Sequence, residues 1–106
     1  MATFADREKQ FETKYSHDEE LRFKVQARRN RLFGEWAGAQ WGLEGEDLKA
    51  YSRTVVESDF ERPGDEDVLE KVLADLEAQG IETDARRLRN RMDELLQEAK
   101  AQVMAE

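Results

Sequence analysis

Cysteine is absent from this 106-residue chain, and proline occurs once. Without thiols there are no disulfides and no thiolate metal sites, and a reducing, cytoplasmic compartment is the natural reading. Apolar residues make up 39 % of the chain and aromatics 8 %, against 40 % charged. So little apolar material excludes a broad core, and narrow helical stripes must build whatever core exists. No stretch approaches the roughly 18 apolar residues that a membrane span needs, so direct membrane insertion is not expected. The opening, Met1-Ala2-Thr3-Phe4-Ala5-Asp6, has no basic region followed by an apolar run and does not read as a secretory signal. Positive charge is also short: 17 Lys and Arg face 25 Asp and Glu, a net charge of −8. An acidic surface repels phosphate backbones, which argues against nucleic acid as the main ligand.

What is present is helical. The length fits one domain with one modest core. Ser16-His17-Asp18-Glu19 has the spacing of a capping box, a hydroxyl followed three residues later by a carboxylate. A helix is expected from there to about Trp41, with Leu21, Val25, Leu32, Trp36 and Ala39 in one stripe and Phe33 on its flank. Gly34 and Gly38 fall on another face, where a second helix can approach closely. Arg28 falls inside the stripe, where it can snorkel out or meet a buried carboxylate.

Gly42 suits the left-handed position after a helix end. A second helix follows from about Glu46 to Phe60, with Leu48, Tyr51 and Val55 inward, and Arg62-Pro63-Gly64 breaks it. The third starts at Asp65-Glu66-Asp67, carries Val68, Leu69, Val72, Leu73 and Leu76, and ends at Gly80. Thr83 or Asp84 caps the fourth, whose stripe is Leu88, Met92, Leu95, Leu96, Ala99 and Val103. Nothing alternates at period two, so no sheet is expected. The reading is all-α: a four-helix bundle over residues 16–106, preceded by an arm over residues 1–15.

The arm differs from the rest. Its large apolar groups are Phe4, Phe11 and Tyr15, which fall within roughly 40° of one another on a helix. Charged residues cover the remaining surface. A helix of about 15 residues alone in water is marginal, so the arm is expected to be flexible or partly helical when free. On a partner's groove it can become helical with the aromatic ridge as anchor. Two other readings stay open: the arm extends the first helix, or it folds back and adds its rings to the core.

A search for chemistry finds little, and no enzyme is expected. His17 stands beside Asp18, Glu19 and Glu20, but adjacent helical residues diverge and no second histidine completes a metal set. Asp65, Glu66 and Asp67 lack the ligand spacing of a calcium loop. There is no phosphate loop, and Ser16, Ser52 and Ser58 lie outside any nucleophile motif. Neither metal nor cofactor is expected. Two arginine groups remain, around Arg28 and Arg29 and around Arg87 and Arg91. If they converge, they offer guanidinium to a nucleotide phosphate; the plainer reading is salt bridging to the abundant carboxylates.

The run from Phe4 to Tyr15, FADREKQFETKY, resembles the amino terminus of the zeta subunit of alphaproteobacterial F-type ATP synthase. Asp18–Lys24, Ala27–Asn30, Trp36-Ala37, Ser58–Glu61, Pro63–Val68 and Met92–Leu96 extend the likeness in order and spacing over nearly the whole chain. The resemblance implies an inhibitor that blocks ATP hydrolysis. In that family the arm enters a catalytic interface between the alpha and beta subunits and reaches the gamma shaft. Carried onto this sequence, it makes Phe4, Arg7, Glu8, Lys9, Phe11, Lys14 and Tyr15 the expected contacts. It also implies a cytoplasmic protein, peripheral to the inner membrane through the synthase. A nucleotide-binding helical sensor and a generic helical adaptor are the alternatives.

Overall fold

The computed structural model describes residues 3–61 and 64–106. Five helices follow one another: α1 (Phe4–His17), α2 (Glu19–Ala39), α3 (Gly45–Glu61), α4 (Asp65–Ala78) and α5 (Ala85–Ala105). No strand occurs among the described residues. The molecule is elongated, 51 × 26 × 25 Å.

Helices α2 to α5 share one core. Phe33 and Ala37 from α2 meet Val55 from α3, then Val68, Leu69, Val72 and Leu76 from α4, then Leu88 and Met92 from α5. The stripes expected for α4 and α5 are the faces that pack inward. A smaller cluster lies at the other end of the long axis of α5, where Val25 meets Ala99 and Val103. Phe11 and Tyr15 of α1 rest on that second cluster, beside Leu21, Leu32 and Leu96.

Glycine sets two features. Gly42 and Gly80 take φ of +89° and +77°, the left-handed conformation that ends α2 and α4. After α4, the Gly80 amide donates to the Glu77 carbonyl (2.9 Å) and the Ile81 amide to that of Leu76 (3.0 Å), which satisfies carbonyls the helix leaves open. Gly34 serves close approach instead: a Cβ there would lie 2.7 Å from the Ser52 Cα. At this crossing Ser52 is buried, and its hydroxyl donates to the Arg31 carbonyl at 2.7 Å. On the α3–α4 side, the Tyr51 hydroxyl donates to Asp75 Oδ2 (2.8 Å), which Lys71 also meets at 3.0 Å. Burial first, and the Asp75 carboxylate second, push the Tyr51 hydroxyl pKa far above its usual value.

Two expectations need correction. Ser16 does not cap a helix. It sits in the last turn of α1, and its hydroxyl donates to the Thr13 carbonyl. Asp18 breaks the helix with φ −106° and ψ 108° and caps α2 by accepting from the Leu21 amide at 3.1 Å. A carboxylate one residue before α2 has shorter reach to that amide than a hydroxyl three residues before it. The helix expected from residue 16 to Trp41 therefore runs from Glu19 to Ala39. Of the stripe expected on that helix only Val25 is buried; Leu21, Leu32 and Trp36 are half-buried, and Ala39, in the last turn, is exposed. Asn30, Phe33, Gly34, Ala37 and Gly38 are buried as well, because α2 contacts each of the other four helices. The break expected at Arg62-Pro63-Gly64 is not among these corrections; it lies largely outside the described residues, which resume at Gly64.

Candidate functional site

The first helix is specified locally. The Thr3 hydroxyl accepts from the Asp6 amide and the Asp6 carboxylate accepts from the Thr3 amide, both at 3.2 Å. That reciprocal pair satisfies two of the orphan donors at the helix start. Lys14 and His17 occupy the last turn, where positive charge suits the dipole. None of the 14 residues of α1 is buried. Met1 and Ala2, the beginning of the expected arm, lie outside the described residues.

The expected contact residues divide into two groups. Phe4 is 66 % exposed, and the side chains of Arg7, Glu8, Lys9 and Lys14 are exposed with no ion pair among the described residues. Phe11 and Tyr15 are half-buried on the second cluster, with ring centroids 6.4 Å apart and planes 19° from parallel. Lys100 of α5 holds them there. Its ammonium lies 4.5 Å from the Tyr15 ring centroid and 3.4 Å from the Glu12 carboxylate, and its own side chain is mostly covered. Such a cation–ring contact is worth about 0.5–1 kcal/mol at an exposed site, and an exposed ion pair about 0–1 kcal/mol. Sequence reasoning missed Lys100 and Glu12. The available signal was that Lys100 stands four residues after Leu96 and three before Val103, on the shoulder of the α5 stripe.

The four arginines offered for a nucleotide each have their own acceptor. Arg28 donates to Gln102 (3.0 Å) and pairs with Glu106. Arg29 is buried, bonding to Asn30 (2.9 and 3.1 Å) and Asp65 (2.8 Å). Arg87 faces Asp84 at 3.9 Å. Arg91 pairs with Glu94 at 3.0 Å and lies over the Trp36 ring, 5.2 Å from its centroid. Arg28 meets a carboxylate, but the exposed one of Glu106 rather than a buried one. The deeper burial of Arg29 had no sequence signal. Among the described residues, no group of three His, Asp or Glu side chains is arranged to hold a metal, and no helix is long and apolar enough to cross a membrane.

A family model described as ATPase inhibitor subunit zeta matches residues 1–102. The chain belongs to that family. The match includes α1 as well as the four helices behind it, so the exposed helix is part of the zeta pattern rather than an addition to it. A protein whose structure was solved by NMR in solution is 40 % identical and superposes with a TM-score of 0.70. That likeness covers 80 % of this chain and 96 % of the other. No curated protein matches the chain. Zeta membership gives the role of an ATPase inhibitor.

Proposed function

We propose that the chain inhibits ATP hydrolysis by F-type ATP synthase by inserting its amino-terminal arm into a catalytic interface between the alpha and beta subunits, beside the gamma shaft. The observation that carries this reading is α1 itself: a capped helix with no buried residue, joined to the body through the single non-helical residue Asp18. A helix placed this way has little to lose by leaving. A closing cleft offers its rings the burial that the second cluster supplies only in part.

Insertion then has two stages. The contacts of Lys100 with Tyr15 and Glu12 release first, and the arm, marginal as a helix on its own, threads the cleft as a flexible segment. Phe4, Phe11 and Tyr15 pack against apolar cleft walls, while Arg7, Glu8, Lys9 and Lys14 pair with charged ones. The body over residues 16–106 stays outside as a stop. The block is mechanical, because an occupied interface cannot complete its cycle of opening and closing. Rotation in the direction of synthesis expels the arm. In this reading the protein is cytoplasmic and attached to the inner membrane only through the synthase. Each of the four arginines has its own acceptor, which gives the nucleotide-sensor alternative no support.

The test is an ATP hydrolysis assay on the cognate synthase head with the full chain and with a form lacking residues 1–15. Full-length protein inhibits, and the truncated form keeps its helical circular dichroism and does not inhibit. Full inhibition by the truncated form removes the arm from the mechanism.

A further inference from the structure

Among the described residues, two large apolar side chains besides Phe4 stand open to water: Phe23 on α2, 54 % exposed, and Phe60 on α3, 56 % exposed. Scattered exposed rings need no explanation, but these two touch. Their centroids are 5.4 Å apart with planes tilted by 43°. Neither ring belongs to a core cluster. They form a small aromatic ledge across the seam between two helices.

The ledge has an acidic surround. Shallow depressions beside it are lined by Glu19, Glu20 and Arg22 on one side and by Asp59 and Asp65 on the other. Among the described residues that is four carboxylates to one cation. The carboxylates are not equivalent. Asp59 accepts from Asn30 and from the Gly64 amide, and Asp65 accepts from Arg29, so both are engaged by their own fold. Glu19 is 91 % exposed and only 4.0 Å contact links it to Arg22. Glu20 is exposed without a side-chain partner. Both therefore remain available to an incoming cation.

Resting on the proposed function, we infer that this ledge is a second contact with the synthase head, and that it takes a basic amphipathic helical segment on the outside of the head. An aliphatic side chain of that segment seats against Phe23 and Phe60, and its Lys or Arg side chains meet Glu19 and Glu20. Charge favours this occupant over others. Nucleic acid and anionic membrane surfaces are repelled by the carboxylates. A two-fold contact with a second copy would bring the same carboxylates face to face. Position favours it too. Glu19 and Glu20 form the first turn of α2, directly after the Asp18 break where α1 departs, so a partner that accepts α1 reaches the ledge next. The arm gives inhibition, and the ledge gives the body its grip.

The experiment uses the full chain and the cognate synthase head. Phe23→Ala with Phe60→Ala, and separately Glu19→Lys with Glu20→Lys, are each expected to raise the concentration for half-inhibition about tenfold, as loss of an anchor or of its charge partners does. Inhibition at saturation stays complete; the melting temperature hardly moves in the phenylalanine pair, whose rings are exposed, and falls by a few degrees in the lysine pair, which puts cations into the first turn of α2. Added salt weakens the wild type more than the lysine variant. A photoreactive benzoylphenylalanine at position 60 is expected to cross-link to a head peptide with excess Lys and Arg. Unchanged half-inhibition in both variant pairs overturns the ledge, as does a cross-link to a second copy or to an acidic head peptide. The arm is judged separately by Phe11→Ala with Tyr15→Ala. If that pair fails to inhibit while both ledge pairs inhibit as the wild type does, only the ledge falls; if that pair inhibits fully, it is the arm that falls.

Discussion

Helices α1 and α2 are consecutive in the chain, separated by one residue, and are held in opposite ways. The first has 14 residues and buries none of them. The second has 21 and buries seven, Arg29 and Asn30 among them. What keeps α1 helical is written inside it: a reciprocal cap at Thr3 and Asp6 and basic residues in the last turn. What keeps α2 helical is its neighbours, since every other helix touches it. A segment specified locally keeps a helical tendency after it undocks, so that under the proposed function the arm can thread a cleft as a flexible segment and re-form its helix there. A segment specified by its surroundings cannot leave.

Substitutions that separate fold from function break or sharpen this contrast. The largest effect on stability belongs to the glycine crossing of α2. In Gly34→Val the added Cβ meets backbone, the Ser52 Cα at 2.7 Å, and neither helix can yield without opening the core. Destabilisation of about 2–3 kcal/mol is expected from overpacking, a fall in melting temperature of about 10 °C or more for a domain of this size. Phe4→Ala is its counterpart on α1. That ring is 66 % exposed, so the melting temperature stays within about 2 °C, while inhibition of the synthase head weakens. Thermal denaturation and the hydrolysis assay on the same two variants check both halves. A large thermal effect from Phe4 would place the arm in the fold.

Next comes Phe11→Ala with Tyr15→Ala. These rings are half-buried on Val25, Ala99 and Val103, so a modest loss of about 1–2 kcal/mol is expected from area alone. Removing a fully buried aromatic costs about 3–5 kcal/mol for each ring, and a loss of that size would make the pair core residues first. Inhibition should fall far more than stability does. Lys100→Ala acts in the other direction. It removes the cation over Tyr15 and the pairing with Glu12, so amide exchange in α1 should quicken. The half-inhibition concentration should drop roughly twofold to threefold, because more of the protein has its arm free. Weaker inhibition in this variant would mean that the docked arm is the form the synthase accepts.

The same contrast explains what could be read from the residues. Helices α4 and α5 were legible because each packs one face, and the stripes Val68–Leu76 and Leu88–Val103 are those faces. Of the aromatic ridge read on the arm, Phe11 and Tyr15 share a packing face and Phe4 stands apart from it. The buried surface of α2 was not, because a helix with partners on several sides shows no single stripe, and polar Asn30 and charged Arg29 belong to it only through distant acceptors, Asp59 and Asp65. The cap at Asp18 was hidden by a competing pattern two residues earlier. Lys100 was hidden because its partners, Glu12 and Tyr15, lie at the far end of the sequence. Local order left its mark in adjacent residues, and order imposed by the fold did not.

The smallest effect concerns the clamp that ties α2 to α5. Glu106 meets Lys24 at 2.6 Å and also pairs with Arg28, both on α2. The hydrogen bond from Lys24 first, then that from Arg28, hold its side-chain carboxyl down from an ordinary 4.5 to about 2. A carboxylate lowered in the folded state contributes stability above its unfolded pKa, and that contribution is lost as pH falls through the folded one. The clamp should therefore be whole above about pH 4.5 and gone near pH 2, with Glu106→Gln matching the wild type in acid and falling slightly below it at neutral pH. The pair is open to solvent, so salt should erase most of the difference. Following the Glu106 carboxyl carbon by NMR against pH gives the deciding midpoint. A value near 2 confirms that α2 is fastened at this end by charge as well as packing. A midpoint in the ordinary carboxylate range would leave Val25, Ala99 and Val103 to hold α2 against α5 alone, and the cluster that seats the arm would then be as loosely tied as the arm is.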